Sequence, residues 1–260
     1  MDAATETYLQ ALASTTVQVL GDNLTGIYLH GSAVLGGYLP SRSDLDILIL
    51  VASPLSTTDQ TRLSRALSQS ALPCPAVGLE LSVVLASVAA AQPTTRAPPF
   101  EMHMTTAERD SKVIGRDAGA SGDEDLMLHF WVARERGRAL LDDAGPAPAE
   151  AFAPVPRGVV RAQVRRELLW VKGEAAVATG EYAVLNAARA LGMVRTGRVM
   201  GKVEGGRWAL GVVGERWEGV VAWALRRQMG EKGEEGEEIG KREVGEFVDF
   251  VIREIDGVVE

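Results

Sequence analysis

The sequence predicts an α+β protein, with a mixed sheet and helices in residues 1–150 and an α-helical bundle in residues 151–260. Two observations support this class. Short aliphatic runs bounded by turn-forming residues recur in the first 85 residues, which is typical of buried strands. After a proline- and alanine-rich stretch at residues 142–158, apolar residues return at helical spacing. Two domains separated by this linker are therefore expected.

The first domain begins with a predicted helix over residues 5–20. Its apolar positions recur at helical spacing: Leu9, Leu12, Val17 and Leu20. A first strand is expected from Gly26, and a second at residues 44–51. Residues 57–59 offer N-cap side chains for the next helix, because Thr and Asp oxygens can accept a backbone N–H. The third strand is predicted at residues 77–85.

The later elements follow from the same spacing. Residues 86–121 are expected to be mostly loop, and neither Cys74 nor His103 is assigned a role. A helix is predicted over residues 126–141. The helices of the bundle are predicted at residues 160–179, 182–194, 198–210, 214–229 and 244–259. The tract at residues 230–236 has too many glycines for a helix interior and is predicted to be a loop.

Composition narrows the class of protein. Hydrophobic residues make up 46% and aromatic residues 5%, which fits a soluble globular protein with a sizeable core. The net charge of −8 disfavours a nucleic-acid partner and weakly favours a cationic small molecule. Cys74 is the only cysteine, so no intramolecular disulfide can form. Without a signal-like start, a membrane-length apolar run or a heptad seam, we expect a cytoplasmic monomer with no membrane partner.

Two aspartates mark the start of the second strand. Asp44 and Asp46 alternate with apolar residues, so their side chains point to the same face. Carboxylates held close together beside a core repel each other unless a cation lies between them. Mg²⁺ is the most suitable cation, because it binds one or two carboxylates and completes its shell with phosphate oxygens and water. The alternative is a solvated pair at the start of an edge strand. Gly31 and Ser32 favour the first interpretation. Gly31 lets the backbone approach a ligand, and Ser32 offers a hydroxyl and an N–H that can donate hydrogen bonds to a phosphate.

A third carboxylate interrupts the third strand. Glu80 is charged in an otherwise apolar run, so it lies either at a sheet edge or in a site that compensates for its burial.

The spacing of Gly31-Ser32, Ser43, Asp44 and Asp46 before an aliphatic strand resembles the nucleotidyltransferase superfamily typified by DNA polymerase β. The fuller string at residues 30–50 resembles the aminoglycoside (streptomycin/spectinomycin) adenylyltransferases. The resemblance continues at residues 134–141, 182–189 and 201–208 and thus covers nearly the whole chain. It implies a polymerase-β-like nucleotidyltransferase domain, completed by a helical domain at the ATP and acceptor site.

The resemblance also implies the chemistry: AMP transfer from ATP to a hydroxyl of an aminoglycoside or aminocyclitol, and hence antibiotic resistance. Asp44 and Asp46 would be the Mg²⁺ ligands, and Glu80 the general base that contacts the acceptor. The residues implied in nucleotide binding are Gly31, Ser32, Ser43, Asp125 and Lys202. Tyr182 and Asn186 are implied in acceptor binding.

This chain departs from the family at the acceptor. Ala107 stands where the family has a tryptophan that stacks on streptomycin, and Thr179 stands where it has an aspartate. Tyr182 replaces a histidine, while Glu181 or Glu174 could substitute for the aspartate. Two alternatives therefore stay open: a different acceptor, such as a protein, an RNA or a metabolite, and an inactive nucleotide-binding homologue.

Overall fold

The computed structural model describes residues 1–93, 96–107, 112–115, 117, 121–141, 145–173, 179–230 and 239–258. The chain divides into two units, Met1–Val155 and Pro156–Glu260, and each is described by itself. Three features predicted from the sequence lie outside the described residues: Glu174, linker residues 142–144 and tract residues 231–236.

The N-terminal unit is built on one sheet of six strands. Its elements are α1 (Ala3–Leu20), β1 (Leu24–Leu29), β2 (Leu45–Val51), α2 (Thr57–Ala66), β3 (Leu79–Leu85), α3 (Ala86–Ala90), β4 (Met102–Thr105), β5 (Lys112–Gly115), α4 (Leu126–Arg136), β6 (Arg138–Ala139) and α5 (Pro148–Ala151). The strand order is β5-β4-β3-β2-β1-β6. Among the described strands, the central pair β2–β3 is parallel and the other neighbours are antiparallel.

One core cluster lies on one face of this sheet. Alternate residues of β2, among them Ile47 and Ile49, pack in one cluster with Leu9 and Leu12 of α1. Leu48, on the opposite face, is fully buried as well. A strand covered on both faces reads as a continuous aliphatic run, which explains the sequence of β2.

Other large side chains fill the opposite face. Tyr28 of β1 stacks edge-on against Phe152 with ring centroids 5.0 Å apart, and its hydroxyl donates to the Pro146 carbonyl at 2.8 Å. Burial raises the pKa of Tyr28 to about 12.

Cys74 belongs to the same core cluster as Leu9 and Ile47. The thiol lies in the loop between α2 and β3, where its residue is only 7% exposed. Burial raises its pKa, so the reactive thiolate is scarce at neutral pH.

Four local predictions differ from the structure. Val17 was expected in the core but is 44% exposed, and Thr16 is buried instead, with its hydroxyl donating to the Leu12 carbonyl at 2.8 Å. The N-cap of α2 is Ser56, one residue before the predicted candidates, and its Oγ accepts the Asp59 N–H at 3.1 Å.

The other two differences concern whole elements. The segment predicted as loop contains α3, β4 and β5. The helix predicted over residues 126–141 ends at Arg136, because Gly137 is extended and β6 pairs antiparallel with β1.

The C-terminal unit is helical in the part of it that is described. Its helices are α6 (Arg157–Gly173), α7 (Gly180–Thr196), α8 (Lys202–Leu210), α9 (Glu215–Met229) and α10 (Lys241–Asp256). Leu185 and Leu191 of α7 are fully buried, as their spacing predicts. Trp217 of α9 packs edge-on against Phe247 of α10 at 5.6 Å between ring centroids.

The predicted α+β class, a mixed sheet with helices followed by a helical region, is confirmed. None of the described helices is both long enough and apolar enough to span a membrane.

Candidate active site

Three carboxylates converge at the start of the parallel strand pair. In the β2–β3 register, Asp46 lies directly beside Glu80, and Asp44 precedes Asp46 on the same face. One oxygen from each of the three side chains lies within 4.8 Å of the others. Because this pairing is made by backbone hydrogen bonds, the fold itself holds the two strands' carboxylates together.

The turn after β1 brings the backbone against these carboxylates. The His30 N–H donates to the Asp46 carbonyl at 3.0 Å, and Gly31 follows with φ +62°. A Cβ at Gly31 would lie 1.7 Å from Asp46 Oδ2. Position 31 therefore requires glycine for two reasons, its left-handed conformation and its contact with a carboxylate.

Ser32 carries an unsatisfied hydroxyl beside this turn. Its carbonyl accepts the N–H groups of Leu35 and Gly37, both at 3.3 Å. Its Oγ is buried and has no hydrogen-bond partner among the residues that the structure describes. Buried hydroxyls are normally paired, so an unpaired one next to three carboxylates is suited to donate to a ligand.

Ser43 holds the loop that leads into Asp44. Its N–H donates to the Leu39 carbonyl at 2.8 Å, and its Oγ accepts the Leu39 N–H at 3.1 Å. The Val77 N–H donates to the Ser43 carbonyl at 3.0 Å, which ties the loop to the approach of β3. The Ser43 hydroxyl keeps its own hydrogen for a further acceptor.

Two histidine rings are in tilted contact beside the glycine turn. His30 is only 4% exposed, and its ring lies 4.9 Å from that of His129 on α4, centroid to centroid. Burial, together with the nearby His129, lowers the pKa of His30 well below its usual value. The His30 ring is therefore neutral at neutral pH.

His103, which the sequence left without a role, lies on β4 directly opposite Ser82 of β3. Its Nδ1 is 3.0 Å from the Ser82 hydroxyl. The alternation Met102-His103-Met104-Thr105 fits a half-buried strand, but four residues are too few to distinguish a strand from a loop, and no local signal places His103 beside Ser82.

The remaining predicted residues belong to helices of the two units. Asp125 is the N-cap residue of α4 in the N-terminal unit, and its N–H donates to Asp123 Oδ1 at 2.9 Å. Lys202 is the first residue of α8, and its Nζ lies 4.2 Å from the centre of the Tyr182 ring. Asn186, 1% exposed on α7, has both amide atoms without a hydrogen-bond partner in the described part of the chain.

The structure places Ala107, one of the positions that depart from the family, and Glu181, a candidate substitute for the family aspartate. Ala107 lies against Gly78, where an added Cβ would be 2.6 Å from the Ala107 nitrogen, so it neighbours the start of β3. Glu181 is buried, and its Oε2 lies 3.7 Å from Nε of Arg227. Glu181 is thus already engaged with a cation.

Comparison with known proteins supports two assignments along the chain. Residues 15–77 match the family model of a nucleotidyltransferase domain, and residues 150–254 match that of the aminoglycoside adenylyltransferase C-terminal domain. The spectinomycin 9-adenylyltransferase of Campylobacter jejuni is 26% identical over 151 residues, which span 58% of this chain and 57% of that protein.

The fold is shared with a solved structure. The crystal structure of the spectinomycin adenyltransferase AAD(9) from Enterococcus faecialis, with ATP and spectinomycin, superposes with a TM-score of 0.68. The match covers 97% of this chain and 99% of that one at 18% identity. The resemblance to the aminoglycoside adenylyltransferases predicted from the sequence is thereby confirmed: residues 150–254 match their C-terminal domain, and the fold is that of AAD(9).

Proposed function

We propose that the protein transfers AMP from Mg-ATP to a hydroxyl of an aminocyclitol or aminoglycoside, with spectinomycin as the expected acceptor. The observation that carries the proposal is the convergence of Asp44, Asp46 and Glu80 beside the Gly31 turn. The names of the similar proteins support it, since both are spectinomycin adenylyltransferases and one was solved with ATP and spectinomycin.

The three carboxylates fit a magnesium site. Their oxygens lie within 4.8 Å of one another, and hard carboxylate oxygens are the ligands Mg²⁺ prefers. Asp44 and Asp46 would hold the ion, which when bound would neutralise charge on the phosphates and on the departing pyrophosphate.

The glycine turn would receive the triphosphate. Gly31 has no side chain to hold a phosphate away, and the buried, unpaired Ser32 hydroxyl can donate to a phosphate oxygen. Ser43 anchors the loop and has a hydroxyl hydrogen left to donate. Together these groups would fix the α-phosphorus beside the carboxylates.

Glu80 would act as the general base. It lies beside Asp46 in the register, so a hydroxyl that reaches Glu80 also reaches the phosphate held there. Glu80 removes the proton of the acceptor hydroxyl, and the resulting oxygen forms a bond to the α-phosphorus. The bond from that phosphorus to the α,β-bridging oxygen breaks, and pyrophosphate leaves.

Four further residues complete the proposal. Lys202 would supply positive charge to the ATP phosphates, and Asp125 would bind the nucleotide. Tyr182 and Asn186 would contact the acceptor. The unpaired amide of Asn186 is the feature that most favours a ligand contact, because leaving a buried amide unpaired is costly.

Spectinomycin is preferred over streptomycin as the acceptor. Ala107 offers no ring on which streptomycin could stack, and Glu181 is engaged with Arg227. The net charge of the chain, −8, suits either cationic drug and does not discriminate between them.

The test is pyrophosphate release from Mg-ATP with spectinomycin, with streptomycin or with no acceptor. Pyrophosphate release by the wild-type protein should require spectinomycin. Asp44→Asn should lower turnover by at least about 10²-fold, because it removes a carboxylate ligand. Glu80→Gln should lower kcat by at least about 10²-fold and leave ATP binding intact, because it removes only the base. Asp22→Asn, at an exposed aspartate in the turn after α1, is the matched control and should behave as wild type.

The outcomes separate the alternatives. Turnover within about tenfold of wild type in Asp44→Asn or Glu80→Gln would overturn the assignment of these roles. Pyrophosphate release with no drug would keep the nucleotidyltransferase chemistry and assign it a different acceptor. No release under any condition, with ATP still bound, would indicate an inactive nucleotide-binding homologue.

A further inference from the structure

A polar strip continues along the sheet from Glu80. The antiparallel register of β3 and β4 pairs Glu80 with Thr105 and Ser82 with His103. Residues two apart on a strand share a face, so Glu80, Ser82, Thr105 and His103 lie on the carboxylate face of the sheet. His103 is thus diagonal to Glu80, within the range at which side chains on neighbouring strands interact.

The His103 ring is held at one nitrogen only. Nδ1 lies 3.0 Å from the Ser82 hydroxyl, and the Phe100 ring stands edge-on at 6.2 Å between centroids. Nε2 has no hydrogen-bond partner within the described ranges. His103 is partly exposed, whereas Ser82, which contacts Nδ1, is buried.

The surroundings of His103 favour a neutral ring. Burial lowers its pKa, and positive charge on Lys112 or His129 would lower it further, while the carboxylates of Glu80 and Asp123 oppose this shift. Burial is the largest of these effects. A neutral imidazole held at Nδ1 can either donate or accept at Nε2, which suits a hydroxyl or an amine.

We propose that His103 binds the acceptor through Nε2 and so selects which hydroxyl is presented to Glu80. This inference rests on the proposed function. The matching ligand class is a small ring with several hydroxyl or amino groups, because one group must reach Glu80 while a neighbouring one reaches His103. ATP would not need His103, so the residue should act on the acceptor alone.

Two substitutions separate this role from a structural one. In His103→Gln, the amide falls near the position of Nε2 and the link to Ser82 is lost. In His103→Asn, the amide falls near the position of Nδ1, so the link to Ser82 is kept and the group at Nε2 is lost. His103→Ala removes both groups. The readouts are kcat and KM for spectinomycin and for ATP, with thermal unfolding recorded for each variant.

We expect His103→Ala and His103→Asn to raise the KM for spectinomycin by about tenfold or more, with the KM for ATP unchanged within about twofold. His103→Gln should recover most of the loss. The reverse order, with Asn near wild type and Gln impaired, would overturn the inference in favour of a structural link to Ser82. Equal changes in both KM values, or none in either, would overturn it as well.

The experiment distinguishes failure of the proposed function from failure of the His103 inference. If wild type releases no pyrophosphate with spectinomycin, the proposed acceptor is wrong and the inference falls with it. If wild type is active and only the order of the variants disagrees, the function stands and His103 is not an acceptor ligand.

Discussion

At the scale of single residues, Gly31 combines two constraints that can be separated by experiment. Gly31 and Gly36 both have positive φ, at +62° and +75°, but a Cβ at Gly36 would meet no atom within 4 Å. Gly31→Ala should therefore lose at least about 10²-fold in turnover, because its Cβ displaces Asp46. Gly36→Ala should keep turnover within a few-fold. The measurement is steady-state pyrophosphate release.

The free energy of unfolding is the internal control for Gly31→Ala and Gly36→Ala. Both variants place alanine in a left-handed conformation and should lose about 1 kcal/mol of unfolding free energy for that reason alone. Similar turnover in the two variants would show that the contact between Gly31 and Asp46 does not matter to the reaction.

His30 should make folding sensitive to acid. Its pKa is lowered in the folded state, so the unfolded state binds the additional proton between the folded pKa and about 6.5. The stabilisation is complete above about pH 6.5 and is lost as the pH falls towards the folded pKa, at up to about 1.4 kcal/mol per pH unit.

His30→Gln removes this ionisable group, and it should reduce the slope of unfolding free energy against pH below about pH 6.5. Urea denaturation of both proteins at several pH values between about 7.5 and 5 would measure it. Parallel curves for wild type and variant would contradict the assignment of a neutral, buried His30.

The sequence was informative about some of these residues and silent about others. Asp44 and Asp46 could be paired because strand alternation depends only on local spacing. His103 could not be placed, since its approach to Ser82 depends on an antiparallel pairing with β3 across a loop. A lone histidine in a segment that reads as loop carries no local signal of such a contact.

At the scale of elements, the cap of α2 is a direct test of the observed helix start. The Ser56 Oγ accepts the Asp59 N–H at 3.1 Å and donates to Asp59 Oδ2 at 2.6 Å. Ser56→Ala should cost about 1 kcal/mol locally and speed amide exchange in the first turn of α2. Thr57→Ala is the matched control and should change exchange little. Equal effects would place the cap at Thr57.

The missed strands have a common physical cause. β4 and β5 are four residues each, too short for a clear period, and they are stable only because each pairs with a neighbour. The end of α4 is similar, since the pairing of Arg138 with Leu29 competes with about one and a half more helical turns. Tertiary hydrogen bonds decided these boundaries, and local propensity could not reveal them.

At the scale of the whole molecule, the fold class followed from features that persist over many residues. Long helices such as α7 and α10 show the same apolar spacing for several turns, so their existence was predictable even where their ends were not. The acceptor preference was less accessible. In the proposed function it would depend on single positions such as Ala107 and Glu181, whose surroundings are set by other elements.

Because Cys74 is buried, the rate at which its thiol is modified can report the opening of the N-terminal unit. Cys74 is the only thiol in the chain, so a thiol-specific reagent can modify the folded protein at one position alone. Because Cys74 lies in the core cluster of the N-terminal unit, modification must wait until that unit opens. Its rate therefore reports the opening free energy of the sheet that carries the carboxylates, in the intact chain and without an added label.

Modification of Cys74 should be faster when the core is weakened. Leu12→Ala, in the same cluster, should accelerate modification by at least about 30-fold, since such truncations cost about 2–5 kcal/mol. Cys74→Ser should abolish the signal. An unchanged rate in Leu12→Ala would mean that the thiol is reached by a local movement of its loop.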